Sequence, residues 1–345
     1  MIFGWFRLSV LRLSMAVVAV FLGVGHADAD ILRSQTIQLQ SGWNSIFLEV
    51  TPTNTSPNQV FTNLPIDIVA SHYASHSSAQ FMSDPSANML RETGWGVWYA
   101  PARPDAFLKT LNAIHGNRAY LVHATTNFSW SVNGCVEPFT VQWVPKAYNF
   151  VGFCVDPVSA PTFQQFFSSS LAHNHNQIYR LVNGAWRQVT QPDAASMRAG
   201  EGFWIFASAA SQYQGPLRAE LGTFLGVFLK EQPSSIVLRN EASHPLVVTL
   251  EHMPVGLNGI PLSIVIQVLG DPSDAVRSIP VSLSEGVWTQ SLPPMSAASS
   301  IRIPLQARLL DMRQAVQMSL LKVTTDLGTV LWIPVYAIRD DLESR

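Results

Sequence analysis

Histidine pairs are the residues whose spacing best suits chemistry in this sequence. His72 and His76 are four positions apart, so a helix would place both imidazoles on one face, and His173 and His175 would share one face of a strand. Either arrangement can hold a metal ion when further ligands complete the site. No carboxylate or thiol lies close enough in sequence to do so. We therefore expect no metal and no cofactor, and we interpret these histidines as surface-loop residues, keeping His72 and His76 as candidate ligand-binding residues.

The acidic residues give little indication of catalysis. The 23 Asp and Glu residues are scattered, and the sequence lacks a metalloprotease helix, a nucleophile elbow, a phosphate loop and a dinucleotide fingerprint. Asp105 and Asp193 both follow a proline and precede a helical turn, which favours a capping role over a shared catalytic one. Two carboxylates from distant parts of the chain would still suffice for glycoside hydrolysis. The expected protein is not an enzyme, and no catalytic residue is assigned.

Aromatic residues are the second candidate for binding. Ten Trp and seven Tyr in a chain with only 13% charged residues suggest stacking on carbohydrate rings. Trp95 and Tyr99 flank Val97 on one face of a predicted strand, and they would form an apolar patch if that face were exposed. The alternative is that both rings pack beneath the neighbouring polar insertion, residues 70–91. Trp95 and Tyr99 are the candidate ligand-binding rings, with a glycan or an envelope protein as the partner.

Composition excludes two classes of protein. The 345 residues are 47% hydrophobic with a formal net charge of -2, so the clustered basic residues that a nucleic-acid partner requires are missing. Intrinsic disorder goes with low hydrophobicity and high net charge, and neither is found here. The chain is long enough for two or three hydrophobic cores.

The N-terminal residues predict export. Arg7 and Arg12 accompany an apolar run over residues 13–25, and Ala27-Asp28-Ala29 follows as a signal-peptidase pattern. An apolar helix of that length reaches about 20 Å, short of a bilayer core of about 30 Å. Residues 1–29 are therefore predicted to be a cleaved signal peptide. We expect no transmembrane span in the mature chain and a periplasmic or extracellular location.

The two cysteines would then enter an oxidising compartment together. A bond between Cys135 and Cys154 would close a loop worth about 3 kcal/mol in the chain-entropy model. We predict this disulfide. The alternative is that each thiol acts as an isolated small hydrophobe.

Five landmarks recur in the same order in two parts of the chain. Each part has a strand entered through an aromatic-Asn pair, a short helical signal, an aromatic strand, a Pro-Asp-Ala turn and a strand led by glycine. These landmarks begin at residues 42, 57, 97, 104 and 116 in the first part and at 146, 161, 178, 192 and 200 in the second. The first part also contains a helical pattern over residues 107–114 that would stop at Gly116. The order predicts two related α+β modules in tandem, residues 30–137 and 138–217.

This recurring pattern resembles the GWN-type tandem repeat of exported bacterial surface proteins. The matching residues are 42–46 in the first module and the diverged residues 147–151 in the second, which lacks the Gly-Trp pair. Such repeats accompany immunoglobulin-like or other binding modules, and the resemblance brings no catalytic residues. It implies a surface or binding protein outside the cytoplasm.

Residues 218–345 predict an immunoglobulin-like β-sandwich. Short alternating runs separated by turn residues fill this third of the chain, and a hairpin is expected around residues 326–329. Pro304 and Pro334 lie inside predicted strands, which indicates sheet edges or bulges. The pattern resembles bacterial surface immunoglobulin-like domains. The predicted fold class is therefore α+β, mostly β.

Three functions follow from these expectations. The leading hypothesis is an exported, non-enzymatic binding or structural protein of the cell envelope or extracellular space, contacting polysaccharide or a protein partner. The alternative is a secreted hydrolase or carbohydrate-binding accessory with a cleft between the two modules. The third is an assembly subunit with unpaired apolar strand edges on the sandwich.

Overall fold

A computed structural model of the chain describes residues 31–73, 94–173, 177–255, 259–268, 277–283 and 286–339. The described residues belong to one compact unit. Antiparallel strands dominate and the two α-helices are short, which confirms a mostly β fold. The predicted signal peptide, His76, His175 and most of the predicted insertion lie outside the described residues. No helix in the described part of the chain has the length and apolar character needed to cross a bilayer.

The first region consists of two antiparallel sheets over one core. Its elements are β1 (Leu32–Leu39), β2 (Gly42–Leu48), β3 (Thr51–Pro52), α1 (Pro57–Val60), β4 (Ile66–His72), β5 (Trp95–Tyr99), β6 (Arg118–Ala124) and β7 (Phe128–Cys135). One sheet has the order β1-β7-β3 and the other β2-β6-β4-β5. In β1, buried Ile37 and Leu39 alternate with exposed Thr36 and Gln38, because successive side chains of a strand point to opposite faces.

The second region has one four-stranded sheet. Its elements are β8 (Ala147–Gly152), α2 (Phe163–Phe167), β9 (Ile178–Val182), β10 (Ala185–Gln188) and β11 (Gly202–Ala207). Its order is β10-β9-β11-β8, so the first strand pairs with the last, as it does in β2-β6-β4-β5. Helix α2 lies where the short helical signal beginning at residue 161 predicts a helix, and it buries Phe163, Phe166 and Phe167. Thr162 and Gln165 form a capping box at its start.

An asparagine has the same role at the start of both four-stranded sheets. The Asn44 side chain hydrogen-bonds the N–H and C=O of Gln40 at 2.9 and 2.7 Å and a second carbonyl two residues before it at 2.9 Å. The Asn149 side chain bonds both groups of Val144 at 2.9 and 3.1 Å and again a carbonyl two residues before it, at 3.0 Å. The recurring aromatic-Asn pair therefore marks a side-chain amide that holds the backbone leading into the sheet.

The last region is a β-sandwich. Its strands are β12 (Leu217–Glu220), β13 (Val227–Leu229), β14 (Ser234–Asn240), β15 (Val248–Pro254), β16 (Leu262–Val268), β17 (Arg277–Ser282), β18 (Trp288–Ser291), β19 (Ser300–Ala307), β20 (Val316–Thr325) and β21 (Val330–Ile338). Two five-stranded sheets, β12-β14-β19-β16-β17 and β13-β21-β20-β15-β18, share one apolar core. The β20–β21 hairpin turns at residues 326–329, as predicted.

The helix predicted over residues 107–114 is wrong. Only a 3₁₀ turn, Ala106–Leu108, forms there. The chain then runs along β5, where the N–H groups of Thr110 and Leu111 donate to the carbonyl of Val97 at 2.8 and 3.0 Å. These bonds satisfy the outer edge of β5, and they replace the bonds that a helix would have made.

The predicted disulfide is also wrong, because Cys135 and Cys154 are not bonded to each other. Cys135 ends β7 opposite Thr51, whereas Cys154 follows β8 in another sheet and packs with Phe47 and Val330. Burial raises the pKa of the Cys154 thiol well above its ordinary value. Cys154 therefore behaves as the small hydrophobe of the alternative interpretation.

The regions share hydrophobic cores. Leu320 of β20 is buried in the core of the first region. A second cluster joins Val97 and Tyr99 of β5 to Phe150 of β8 and Trp204 of β11. These contacts fix the regions against one another, which allows a cleft to form where they meet.

Candidate functional site

The predicted stacking pair, Trp95 and Tyr99, is not an exposed patch. Tyr99 is 7% exposed, and the half-buried Trp95 ring lies 5.3 Å from His72, 6.1 Å from Phe150 and 5.9 Å from Trp204 between ring centroids. Trp95 and His72 do come together, but at the packed boundary between the two four-stranded sheets. The Tyr99 ring is buried, so it has no exposed face on which a sugar ring could stack.

The described histidines differ from the surface residues that the sequence predicts. His173 is 2% exposed, shares a 2.7 Å hydrogen bond with Ser170 and packs on Trp143. His72 is half-buried and lines a cleft of about 850 Å³. Burial lowers the pKa of both imidazoles to about 4, so both are neutral near pH 7. Within the described ranges, no three His, Cys, Asp or Glu side chains are grouped to hold a metal ion.

The capping role predicted for Asp105 is not found. Asp105 precedes the 3₁₀ turn, but its carboxylate caps no backbone group. It instead forms two hydrogen bonds of 2.9 Å to the guanidinium of Arg103, which lowers the pKa of Asp105. Arg103 also bonds Asp67 at 2.8 Å. An ion pair on the surface of the first region therefore uses this carboxylate.

A cleft of about 990 Å³ lies where the three regions meet and is called here the β1 cleft. One wall is the first region, at residues 33–38, 40–46 and 49. The second region contributes residues 155–157, 181, 183, 184 and 198–201, and the sandwich contributes 322, 330 and 332. The cleft lies between the modules, where the hydrolase alternative placed one, and it is built from residues that are far apart in sequence.

The three carboxylates of the β1 cleft already have partners. Glu49 accepts a 2.6 Å hydrogen bond from Arg33, and Glu201 accepts two from Arg180, the shorter at 2.5 Å. Asp156 accepts backbone N–H groups of the following turn at 2.9 Å, which lowers its pKa. Each carboxylate is thereby engaged as a hydrogen-bond acceptor by an arginine or by backbone amides. A general acid for glycoside hydrolysis needs the opposite, a carboxyl group that keeps its proton.

Cationic and aromatic side chains also line the cleft. The Arg33 guanidinium lies 4.4 Å from the Trp332 ring centroid, and Trp43 contacts His123 at 5.0 Å. Arg198 is exposed, and its side chain has no ion pair or hydrogen bond with any described residue. The remaining lining is rich in hydroxyl and amide groups, such as those of Thr36, Gln38 and Asn183. The site therefore offers hydrogen-bonding groups and, at Arg198, a positive charge that no described residue pairs.

Sequence reasoning missed these residues. Strand β1 precedes the first recurring landmark, although its alternation of exposed and buried side chains is readable in residues 34–39. Asn183-Gly184 is a tight hairpin signal, and both residues have the positive φ angles, 51° and 75°, of such a turn. These signals locate strands and turns. They do not indicate that segments far apart in the sequence meet to form the cleft.

Comparison with known proteins adds little. No family model and no curated protein matches this chain. Among solved structures, a Salmonella enterica SafA pilin in complex with the SafB chaperone matches at 10% identity and a TM-score of 0.23, over 36% of this chain and 54% of that chain. A PapD-like domain of human CEP192 matches at 9% identity and a TM-score of 0.20, over 36% of this chain and 84% of that one. A Bacteroides uniformis beta-glucuronidase 2 matches at 8% identity and a TM-score of 0.19, over 89% and 32%. This chain therefore spans about half of the matched pilin–chaperone chain, and TM-scores this low support no functional argument.

Proposed function

We propose that the chain is an exported, non-enzymatic binding protein and that the β1 cleft holds its partner. The observation that carries this proposal is the cleft itself, about 990 Å³ of space lined by hydroxyl, amide and guanidinium groups from three regions. Clefts of this size are typical of ligand sites. The N-terminal signal-peptide pattern supports export.

Binding is favoured over hydrolysis by the state of the cleft carboxylates. Arg33 neutralises Glu49, Arg180 neutralises Glu201, and turn amides stabilise ionised Asp156. A hydrolase needs a carboxyl group that is available to donate a proton to the leaving group. The pairing instead leaves the cleft with satisfied acids and the unpaired guanidinium of Arg198.

We also propose that the two four-stranded sheets are related modules, followed by an immunoglobulin-like sandwich. Their shared strand order and the shared role of Asn44 and Asn149 support a duplication. The likeness to GWN-type repeats of surface proteins agrees with this proposal. The recurring asparagines support the backbone, and the candidate binding groups of Thr36, Gln38 and Arg198 lie outside the recurring landmarks.

The test is binding of the purified chain to an array that combines bacterial polysaccharides with ten-residue peptides. Arg198→Gln and Gln38→Ala change exposed cleft side chains, and each should weaken retention at least fivefold while the unfolding midpoint stays the same. Arg187→Gln is the matched control, because Arg187 is exposed on β10 outside the cleft. Retention that is equal in all three variants would reject the cleft as the site.

A second measurement separates binding from hydrolysis. Retained polysaccharides are incubated with the chain and assayed for new reducing ends. We expect none. Release that disappears in Glu201→Gln or Asp156→Asn would establish the hydrolase alternative and overturn the non-enzymatic function. Fractionation of the producing cells tests export, which predicts the shortened chain outside the cytoplasm.

A further inference from the structure

We infer that the partner in the β1 cleft is an extended polypeptide segment that adds to the outer edge of β1 as a new strand. The inference rests on the proposed function and names the class of partner for the same cleft. It starts from the sheet order β1-β7-β3, in which β1 is paired on one side only.

The register shows which peptide groups of β1 face outward. The N–H of Val136 donates to the carbonyl of Ile31 at 2.9 Å, just before the antiparallel ladder in which Leu32 lies opposite Cys135. Hydrogen-bonded pairs alternate in such a ladder, so the odd-numbered residues of β1 bond to β7. The even-numbered residues therefore point their N–H and C=O groups away from β7. These are residues 32, 34, 36 and 38.

No described residue bonds the outward peptide groups of Ser34, Thr36 and Gln38. At the next even-numbered position, Gln40, both groups are held by the Asn44 side chain. Residues 33–38 all line the cleft, so the open stretch of edge runs along it. An added strand would find donors and acceptors repeating at about 6.8 Å, the two-residue period of antiparallel structure.

Strand β1 also lacks the usual protection of an edge. Proteins protect edge strands with proline, lysine, bulges, shortness or a covering segment. β1 has eight residues, contains neither proline nor lysine, and pairs with β7 without a register shift, and its one charged residue, Arg33, is paired with Glu49. The backbone before β8 is treated differently, because the Gln214 side chain bonds the N–H and C=O of Val141 at 2.6 and 3.0 Å. The peptide groups of Val141 are therefore bonded by a side chain, whereas no described residue bonds the outward peptide groups of β1.

The cleft walls indicate the chemistry of the added segment. The outward row Ser34, Thr36 and Gln38 is neutral and polar, and cross-strand neighbours of Thr are commonly Thr or Ser. Unpaired Arg198 on the opposite wall suits an acidic side chain. The tryptophan rings of the cleft are less available to stack on a sugar, because Arg33 already lies over Trp332 and His123 contacts Trp43. The expected partner is a Ser/Thr-rich extended segment with an acidic residue, matched to an edge of about eight residues.

Thr36→Pro tests the edge directly. Proline removes the outward N–H and fills the space of an incoming strand, yet it is tolerated on an edge and breaks no bond to β7. Thr36→Ala is the matched control, since it loses the hydroxyl bond to Ser131 and keeps the N–H. The probe is a ten-residue peptide selected from a randomised displayed library against the purified chain. Thr36→Pro should weaken its Kd at least tenfold and Thr36→Ala less than threefold, with both variants folded.

Amide hydrogen exchange gives an independent result. The bound peptide should slow exchange at Ser34, Thr36 and Gln38 of the wild-type chain. Unchanged exchange at these amides, or equal peptide affinity in Thr36→Pro and Thr36→Ala, would overturn the inference. A concentration-dependent dimer abolished by Thr36→Pro would also overturn it, because the occupant would then be a second copy.

The outcomes separate the two proposals. Polysaccharide retention that depends on Arg198 but not on the Thr36 N–H would reject the strand partner and keep the binding function. If the wild-type chain retains neither a polysaccharide nor a peptide on the array, both proposals are rejected. Peptide retention that is lost in Thr36→Pro would support both.

Discussion

Asn149→Ala should cost far more stability than Asn44→Ala, although both side chains make the same three kinds of hydrogen bond. Asn149 is 2% exposed, so its removal leaves the two backbone groups of half-buried Val144 and the carbonyl of buried Ala147 without their side-chain partner. At about 1 kcal/mol for each bond, the loss is about 3 kcal/mol. Asn44 is partly exposed, and water replaces its bonds to Gln40, so the loss there is about 1 kcal/mol.

Urea unfolding, monitored by tryptophan fluorescence, measures the loss in free energy of unfolding, and calorimetry measures the thermal midpoint. At roughly 2 °C per kcal/mol for a chain of this size, the midpoints should fall by about 6 °C for Asn149→Ala and about 2 °C for Asn44→Ala. Asn112→Ala is the control, because Asn112 is exposed and makes only one 3.3 Å bond. Equal losses at Asn44 and Asn149 would refute the argument that burial sets the cost.

Three further changes have defined outcomes. Gly328→Ala should prevent folding or lower the unfolding midpoint by more than 5 °C, roughly 3 kcal/mol, because a Cβ there would lie 1.8 Å from the Ser159 carbonyl oxygen at a φ of 79°; a wild-type melting curve would contradict this. Burial lowers the folded-state pKa of His173 from 6.5 to about 4, so the unfolded chain binds the proton more readily and stability is lost as pH falls from about 6.5 towards 4. His173→Gln should flatten that loss by about 3 kcal/mol in urea titrations across this range, and parallel curves for the two proteins would exclude His173 as the cause. Two thiols should react with a disulfide reagent in the denatured chain, and buried Cys154 should not react in the folded one; no reactive thiol after denaturation would restore the predicted bond to Cys135.

Much of the strand pattern can be predicted from the sequence. The runs now in β14, β16, β19, β20 and β21 alternate or are bounded by turn residues, and the hairpin at residues 326–329 follows from Asp326 and Gly328. Even the prolines are partly readable. Pro304 and Pro334 lie in interior strands, but Pro334 comes just before the first residue pair of the β13–β21 ladder and Pro304 just past the last pair of the β16–β19 ladder.

Tertiary contacts account for the failures. Residues 107–114 have a helical pattern, but the N–H groups of Thr110 and Leu111 bond the carbonyl of Val97 in β5 instead. Tyr99 has the spacing of an exposed ring and is covered by another sheet. The β1 cleft cannot be predicted from the sequence, because its walls come from residues that no sequence periodicity connects. Local patterns predict elements, whereas the site depends on which elements meet.

Leu320 has a consequence for the order in which the chain acquires its structure. The first region is synthesised early, yet its core includes this side chain from β20. Until β20 emerges, that core lacks one of its buried side chains. The core of the first region is therefore completed only when a strand near the end of the chain has been synthesised, which ties the folding of the N-terminal sheets to that of the sandwich.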